Sequence, residues 1–278
     1  MFSFMGITIG RLAATQPTAL ALESEGVREG ETVGRGFSPN DQSTVKTPAF
    51  TPLNTPHGQR RGLTLLPFSK SQQVELEGYG DLAAATKLLE AMGLVPVPTN
   101  DGRARISIAA IRYRFFAGIM KGTETWLSVV ARKKEGGPPG QAYLATVADK
   151  WFLQKIGEGF GIPYQRSNIA IQADATGAAS VSIGDPAHPT LTLVRGESSR
   201  RPTSITEQVT DFPGFSPTGK TMEVHMEGQA ERRSFDLVSD QFSVDPNSLL
   251  GELTQKLGFK PHWWTTQALV SGGIRARF

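Results

Sequence analysis

From residue 63 to the C-terminus, glycine, proline and aspartate cut the chain into short stretches in which apolar and polar residues alternate. A period of two puts one set of side chains on each face of a strand. Val74 and Leu76 follow it in SKSQQVELEGYG, Ile106, Ile108 and Ala110 in ARISIAAIRYRFF, and Trp126, Ser128 and Val130 in ETWLSVVARKK. The pattern returns in AYLATVA, ASVSIGD, PTLTLVRGE, KTMEVHMEG and RRSFDLVSD, and the tail HWWTTQALVSGGIRARF reads as a last strand. Between ETWLSVVARKK and AYLATVA lies EGGPPG, which has the composition of a hairpin turn. Many strands of this kind must hide their edges, and a closed or nearly closed antiparallel barrel does so most economically.

Helices interrupt the strands in two or three places. In DLAAATKLLEAMGL, Asp81 is placed to cap the first turn, Leu82, Ala85, Leu88, Leu89 and Met92 share one face, and Gly93 stops the run. A short helix is expected over DKWFLQKIGEGFG, ended by Gly159–Gly161, and another from about Asn247 to Leu257, capped by Asp245 or Asn247. The expected fold class is therefore α+β, mainly antiparallel β. Residues 1–62 read differently. FSPNDQSTVKTPAFTPLNTPHGQ holds four prolines and little periodicity, so an extended or mobile arm over 1–62 is expected to precede a single barrel domain over 63–278.

The chain has 278 residues and no cysteine, which excludes disulfides, iron–sulfur clusters, cysteine–zinc sites and cysteine nucleophiles. Its four histidines are scattered, so no metal site is expected. The net charge is +3, without the long basic stripe of a nucleic-acid binder. No stretch is apolar for long enough to suggest a membrane span. The opening MFSFMGITIG has its charge, Arg11, after the apolar run rather than before it, unlike a secretory signal. The reading is of a cytoplasmic protein without a cofactor.

Residues 124–165 resemble the acetoacetate decarboxylase-like superfamily. Glu124 begins a strand, Gly140 and Tyr143 open its hairpin partner, and a short helix runs into Gly157-Glu158-Gly159-Phe160-Gly161-Ile162-Pro163. The superfamily has a "Y-x-E" strand paired with a "G-x-Y" strand, followed by "G-R-E-x-x-G-x-P-K-K". Glu158, Gly161 and Pro163 match that motif, while Ile156 stands for its first Gly and Gly157 for its Arg. GIPYQRS also resembles the "G-L-P-Y-x-R-A" segment of the YqjF-like group. The resemblance implies a barrel with a small-molecule pocket and a lyase-like activity. It also implies a departure: Tyr164 and Gln165 occupy the positions of the lysine pair, and neither can form an imine. Lys150 or Lys155 could supply an amine only from another direction.

The residues themselves offer a pocket. The Gly-x-Pro turn fixes the backbone before Tyr164, Gln165 and Arg166, which could present a hydroxyl, an amide and a guanidinium fork to a ligand. Packing of Tyr164 in a core, with Arg166 in solvent, is the alternative. Glu124 could serve as a general acid or base if buried, or lie exposed at a strand edge. Arg112 and Arg114 flank Tyr113 and share a face. Facing inward they could bind a carboxylate; facing outward they are solvated. His262-Trp263-Trp264 could form a core cluster or a lid. Three functions are compatible with this pattern. The first is acid–base chemistry on an oxo acid or polyketide-like substrate, with Glu124 and Tyr164 catalytic and Arg112, Arg114, Gln165 and Arg166 binding substrate. The second is a non-catalytic ligand-binding member of the same fold. The third is a structural or assembly protein, a homo-oligomer whose N-terminal arm wraps a neighbour.

Overall fold

The structure, a computed structural model, describes residues 2–4, 7–9, 63–115, 119–173, 179–196 and 204–276. The expected arm lies outside these residues, apart from an antiparallel pair formed by β1 (Phe2–Phe4) and β2 (Ile7–Ile9).

Seven strands close a ring. β3 (Leu63–Gly80) pairs with β5 (Ala104–Phe115), β5 with β6 (Met120–Lys133), and β6 with β7 (Gly140–Ala148). β7 lies beside β12 (Ser204–Phe215), which pairs with β13 (Thr221–Ser234), then β15 (Lys260–Ala276), and β15 returns to β3. Every junction is antiparallel except β7–β12, a parallel contact of Gly214 with Gln141 and Phe215 with Ala142. Gly140 is required at that seam, because a Cβ there would strike the carbonyl of Pro213. β4 (Leu94–Pro96) adds to the end of β6, and β8 (Tyr164–Arg166) runs parallel to the end of β7.

A second sheet covers part of the barrel's outer wall. Its order is β14 (Gln241–Val244), β11 (His188–Arg195), β10 (Ala179–Asp185) and β9 (Ile169–Ala173). Ile171, Val181, Ile183, Leu191 and Leu193 of this sheet pack against Val74, Leu76, Ile106, Ile108 and Leu127 of the barrel. α1 (Leu82–Glu90) adds Ala85 and Leu89 to the same layer, and α3 (Leu249–Lys256) adds Leu250 and Leu253. With both faces of its wall covered, β6 is buried from Gly122 to Val129 rather than on alternate residues. The other face of the wall carries a second core: Phe68, Ile111, Phe115, Trp126, Tyr143, Phe212 and Leu269 line the lumen. α2 (Trp151–Phe160) closes one end of it with Phe152 and Leu153, which sit so close to Gly122 that a Cβ there would come within 2.7 Å of Leu153.

The mainly antiparallel barrel with helices is thus the observed architecture, with three helices among the described residues. Asp81 caps α1 as expected, accepting from the Ala84 N–H at 2.7 Å, and the EGGPPG turn joins antiparallel β6 and β7. Three boundaries differ from the sequence reading. Glu124 lies inside β6, not at its start. Ser248, not Asp245 or Asn247, caps α3, its hydroxyl accepting from Gly251 N–H at 3.0 Å, while Asp245 is used one turn earlier on the Asn247 N–H. RRSFDLVSD is not a strand of its own: Arg232–Ser234 finish β13, and Asp236 and Asp240 then tie a tight turn.

Candidate functional site

Register places the chemistry. Directly paired residues point to the same face of a sheet, so each rung of the barrel contributes side chains to one level of the lumen. Ile111 and Trp126 face the lumen, which turns the rest of their rungs inward. Gln73, Ile111 and Glu124 form one rung across β3, β5 and β6. Glu75, Ala109 and Trp126 form the next, and Glu77, Ser107 and Ser128 the one after. Tyr113 stands on the opposite side of the Glu124 rung, near α2.

Glu124 is 9% exposed, and both of its carboxyl oxygens are occupied. The Tyr113 hydroxyl donates to Oε1 at 2.5 Å and the Tyr164 hydroxyl to Oε2 at 2.6 Å. An aromatic wall surrounds the group: Phe68 and Phe115 each lie 5.0 Å from the Tyr113 ring, and Phe152 packs edge-on against Phe115. Burial pushes the Glu124 pKa above the ordinary carboxylate value, and the two phenol donors offset only part of that rise. Both phenols are pushed far upward by burial and by the adjacent carboxylate, so they stay protonated as donors.

Tyr164 reaches Glu124 because α2 leaves it room. Gly161 ends that helix in the left-handed conformation (φ 76°), which turns the chain through Ile162 and Pro163 into β8. The Tyr164 ring then packs against Gly157, where any Cβ would overlap ring carbons. Gly157→Ala is therefore expected to displace the Tyr164 ring and break its bond to Glu124. Destabilisation of about 1–3 kcal/mol is expected from the overpacking. The check is the melting temperature together with the tyrosine hydroxyl signals by NMR; Gly159→Ala, which meets nothing within 4 Å, is the control.

Of the residues singled out in the sequence, the structure brings Glu124 and Tyr164 together and leaves the other four outside. Arg112 and Arg114 are exposed, because β5 turns them to the face opposite Tyr113. The Arg112 guanidinium donates to the Ile171 carbonyl of β9. Gln165 and Arg166 are exposed on β8. Arg166 instead borders a cleft of about 540 Å³ with Asp149, Ser167, Asn168 and Asp185. Lys150 and Lys155 are solvent-facing and lie beside Asp149 and Glu158. Trp264 is fully buried, whereas His262 stands exposed. Tyr113 is the residue that reasoning from sequence passes over. The signal was available: the period that pairs Arg112 with Arg114 puts Tyr113 on the other face, toward Glu124.

A second group of buried charges occupies the lumen further from α2. Glu77 accepts from Arg105 Nε at 3.1 Å, from Arg232 at 3.4 Å and from the Thr265 hydroxyl at 2.7 Å. Coulombic attraction to Arg105 and Arg232 outweighs its burial and holds its pKa below the ordinary value. Glu75, one rung nearer Glu124, accepts from Gln73 Nε2 at 3.1 Å. Burial first, and then the charge of Glu77, push its pKa up to about 7 from the ordinary 4.5. A carboxyl whose folded-state pKa is raised binds its proton more tightly in the native state. Its contribution is complete below pH 4.5 and is lost as pH rises through about 7. Stability is therefore expected to fall by about 1–3 kcal/mol across that window. Chemical denaturation at pH 4.5 and pH 8 checks this, and Glu75→Gln should flatten the slope. Among the described residues, no three His, Asp or Glu side chains gather to hold a metal ion, and no helix is long and apolar enough to cross a membrane.

No family model and no curated protein matches the chain. Several solved structures are similar to it in fold. One is the enduracididine biosynthesis enzyme MppR with HEPES buffer bound, at 14% identity and a TM-score of 0.49, covering 78% of this chain and 87% of that one. Another is an acetoacetate decarboxylase-like enzyme from Sphingomonas wittichii RW1, at 14% identity and 0.47, over 77% and 92% of the two chains. A third is acetoacetate decarboxylase from Legionella pneumophila subsp. pneumophila str. Philadelphia 1, at 11% identity and 0.48, over 81% and 90%. The likeness is one of overall chain path.

Proposed function

We propose that this chain is a small-molecule enzyme that performs acid–base chemistry on a carbonyl substrate, an oxo acid or a polyketide-like compound, without a Schiff base. The observation that carries the reading is the double hydrogen bond of Tyr113 and Tyr164 to the buried carboxyl of Glu124. A carboxyl held among apolar rings, with a pKa raised by burial, is suited to exchange a proton with a bound carbon acid. In the step proposed, Glu124 takes the proton from the carbon next to the carbonyl. The C–H electron pair forms the new C=C bond, and the carbonyl π pair moves to oxygen. The two phenols hold the carboxyl in one orientation and steady its charge.

Two considerations support a route without an imine. Tyr164 occupies the place where the sequence resemblance puts an amine, and Lys150 and Lys155 are turned to solvent. The test is deuterium incorporation next to the carbonyl of cyclohexanone and of 2-oxobutyrate in heavy water, followed by borohydride treatment and mass analysis. Exchange above the buffer rate with no adduct on lysine is expected. Absence of exchange with both compounds, or a reduced adduct on a lysine, would overturn the proposal.

A further inference from the structure

The lumen level next to Glu124 carries polar groups that the proposed proton transfer does not use. Gln73 is 1% exposed and Trp126 4% exposed, and both face the lumen. The Gln73 amide oxygen and the Trp126 indole N–H have no hydrogen-bond partner among the described residues. Buried polar atoms in this condition cost free energy unless something completes them. They flank Ala109 and Glu75, and Ala109 adds little bulk between Glu75 and Trp126 on their shared rung. Adjacent strands lie about 4.8 Å apart, so the backbones of Glu75 and Trp126 are roughly 10 Å apart with Ala109 between them. A barrel of about this size has a lumen that side chains fill or that holds one small ligand. Tyr143 stands within electrostatic reach of both Glu124 and Glu75, which places the two carboxyls around one region of the lumen.

Carboxyl groups border this seat. Glu124 lies on one side and Glu75 on the other. The two guanidiniums that enter the group are both engaged with Glu77: Arg105 lies one rung past Glu77, and Arg232 shares the Glu75 rung through Thr265. Arg232 also covers the Trp263 ring at 4.7 Å. The arginines that could have met a substrate carboxylate, Arg112, Arg114 and Arg166, are outside the lumen. A buried anion without a partner is strongly disfavoured, and Glu75 adds repulsion above about pH 7, where it is ionised.

We propose that the lumen between Glu124 and Glu75 binds an uncharged carbonyl compound and rejects oxo acids, with the Trp126 indole N–H donating to the ligand carbonyl and the Gln73 amide oxygen accepting from a hydroxyl or N–H where the ligand carries one. This rests on the reading of Glu124 as the acid–base group and chooses between the two substrate classes left open there. In that case the Trp126 N–H also meets the oxygen on which enolate charge develops.

Equilibrium binding to the full-length protein separates this inference from the chemistry, because no turnover is needed. Saturation-transfer NMR and tryptophan fluorescence titrations would use cyclohexanone as the uncharged probe and 2-oxobutyrate as the anion. Cyclohexanone is expected to bind at least 30-fold more tightly. Glu75→Gln removes one carboxylate and should narrow that ratio to below 10-fold. Trp126→Phe should weaken cyclohexanone binding about 10-fold. Equal or tighter binding of 2-oxobutyrate to the wild-type protein would overturn the inference, as would failure of both probes to bind. Binding of cyclohexanone without deuterium exchange would instead count against the acid–base role of Glu124 and leave the preference intact.

Discussion

Glu124→Gln is expected to slow deuterium exchange by about 10²–10⁴-fold, the range a positioned general acid or base supplies. The amide keeps the size and shape of the carboxyl. It can still accept the hydroxyl of one tyrosine through its oxygen, but it cannot carry a proton away from carbon. The fold should not suffer. The Glu124 pKa is raised, so the ionised carboxylate is a burden at neutral pH, and its removal should leave the melting temperature unchanged or higher. A loss of exchange with an intact melting transition is the signature of a chemical role. Tyr164→Phe and Tyr113→Phe should each cost less, because the second phenol continues to orient the carboxyl. If Glu124→Gln exchanges deuterium at the wild-type rate, the proton acceptor lies elsewhere.

Trp264→Ala should destabilise the protein by about 3–5 kcal/mol, the usual cost of removing a large aromatic side chain from a core. Trp264 is fully buried on the outer face of β15, stacks on Phe235 at 5.9 Å, and its indole N–H donates to Asp240 at 2.8 Å. Asp240 also receives the N–H groups of Gly196 and Asp236. The tryptophan thus ties the barrel wall to the turn after β13 and to the end of β11. Urea denaturation measures the loss. Trp264→Phe should recover the packing part but not the bond to Asp240. A cost below 1 kcal/mol for the alanine variant would mean that the layer repacks around the hole.

The barrel was legible because alternation survives in most of its strands, and because Asp81, Gly93 and the EGGPPG turn punctuate it with residues of strong local preference. β12 was not. SITEQVTDFPGF carries a proline near its end, which argues against a strand. Its ladder to β7 begins only at Gly214, so the missing N–H of Pro213 faces no partner there. The α3 cap was misplaced by a residue or two because Asp245, Asn247 and Ser248 are all good caps, and only the chain path decides among them. At the candidate site, Glu124 and Tyr164 were legible from motif order. The arginines misled because a pair of charges on one face draws attention from the phenol between them. Glu75 and Glu77 could not be anticipated from β3 alone: glutamates alternating with Val74 and Leu76 read as a solvated face. They are interior only because the sheet closes on itself and puts both faces of that strand indoors.

The parallel junction of β7 with β12 has a further consequence. Every other neighbour in the ring is joined along a longer ladder, whereas this one rests on Gly214–Gln141 and Phe215–Ala142. A cylinder zipped tightly along six of its seams and only briefly along the seventh breathes at the seventh. Breathing of that kind would give small molecules a side door to an interior that α2 stoppers at one end.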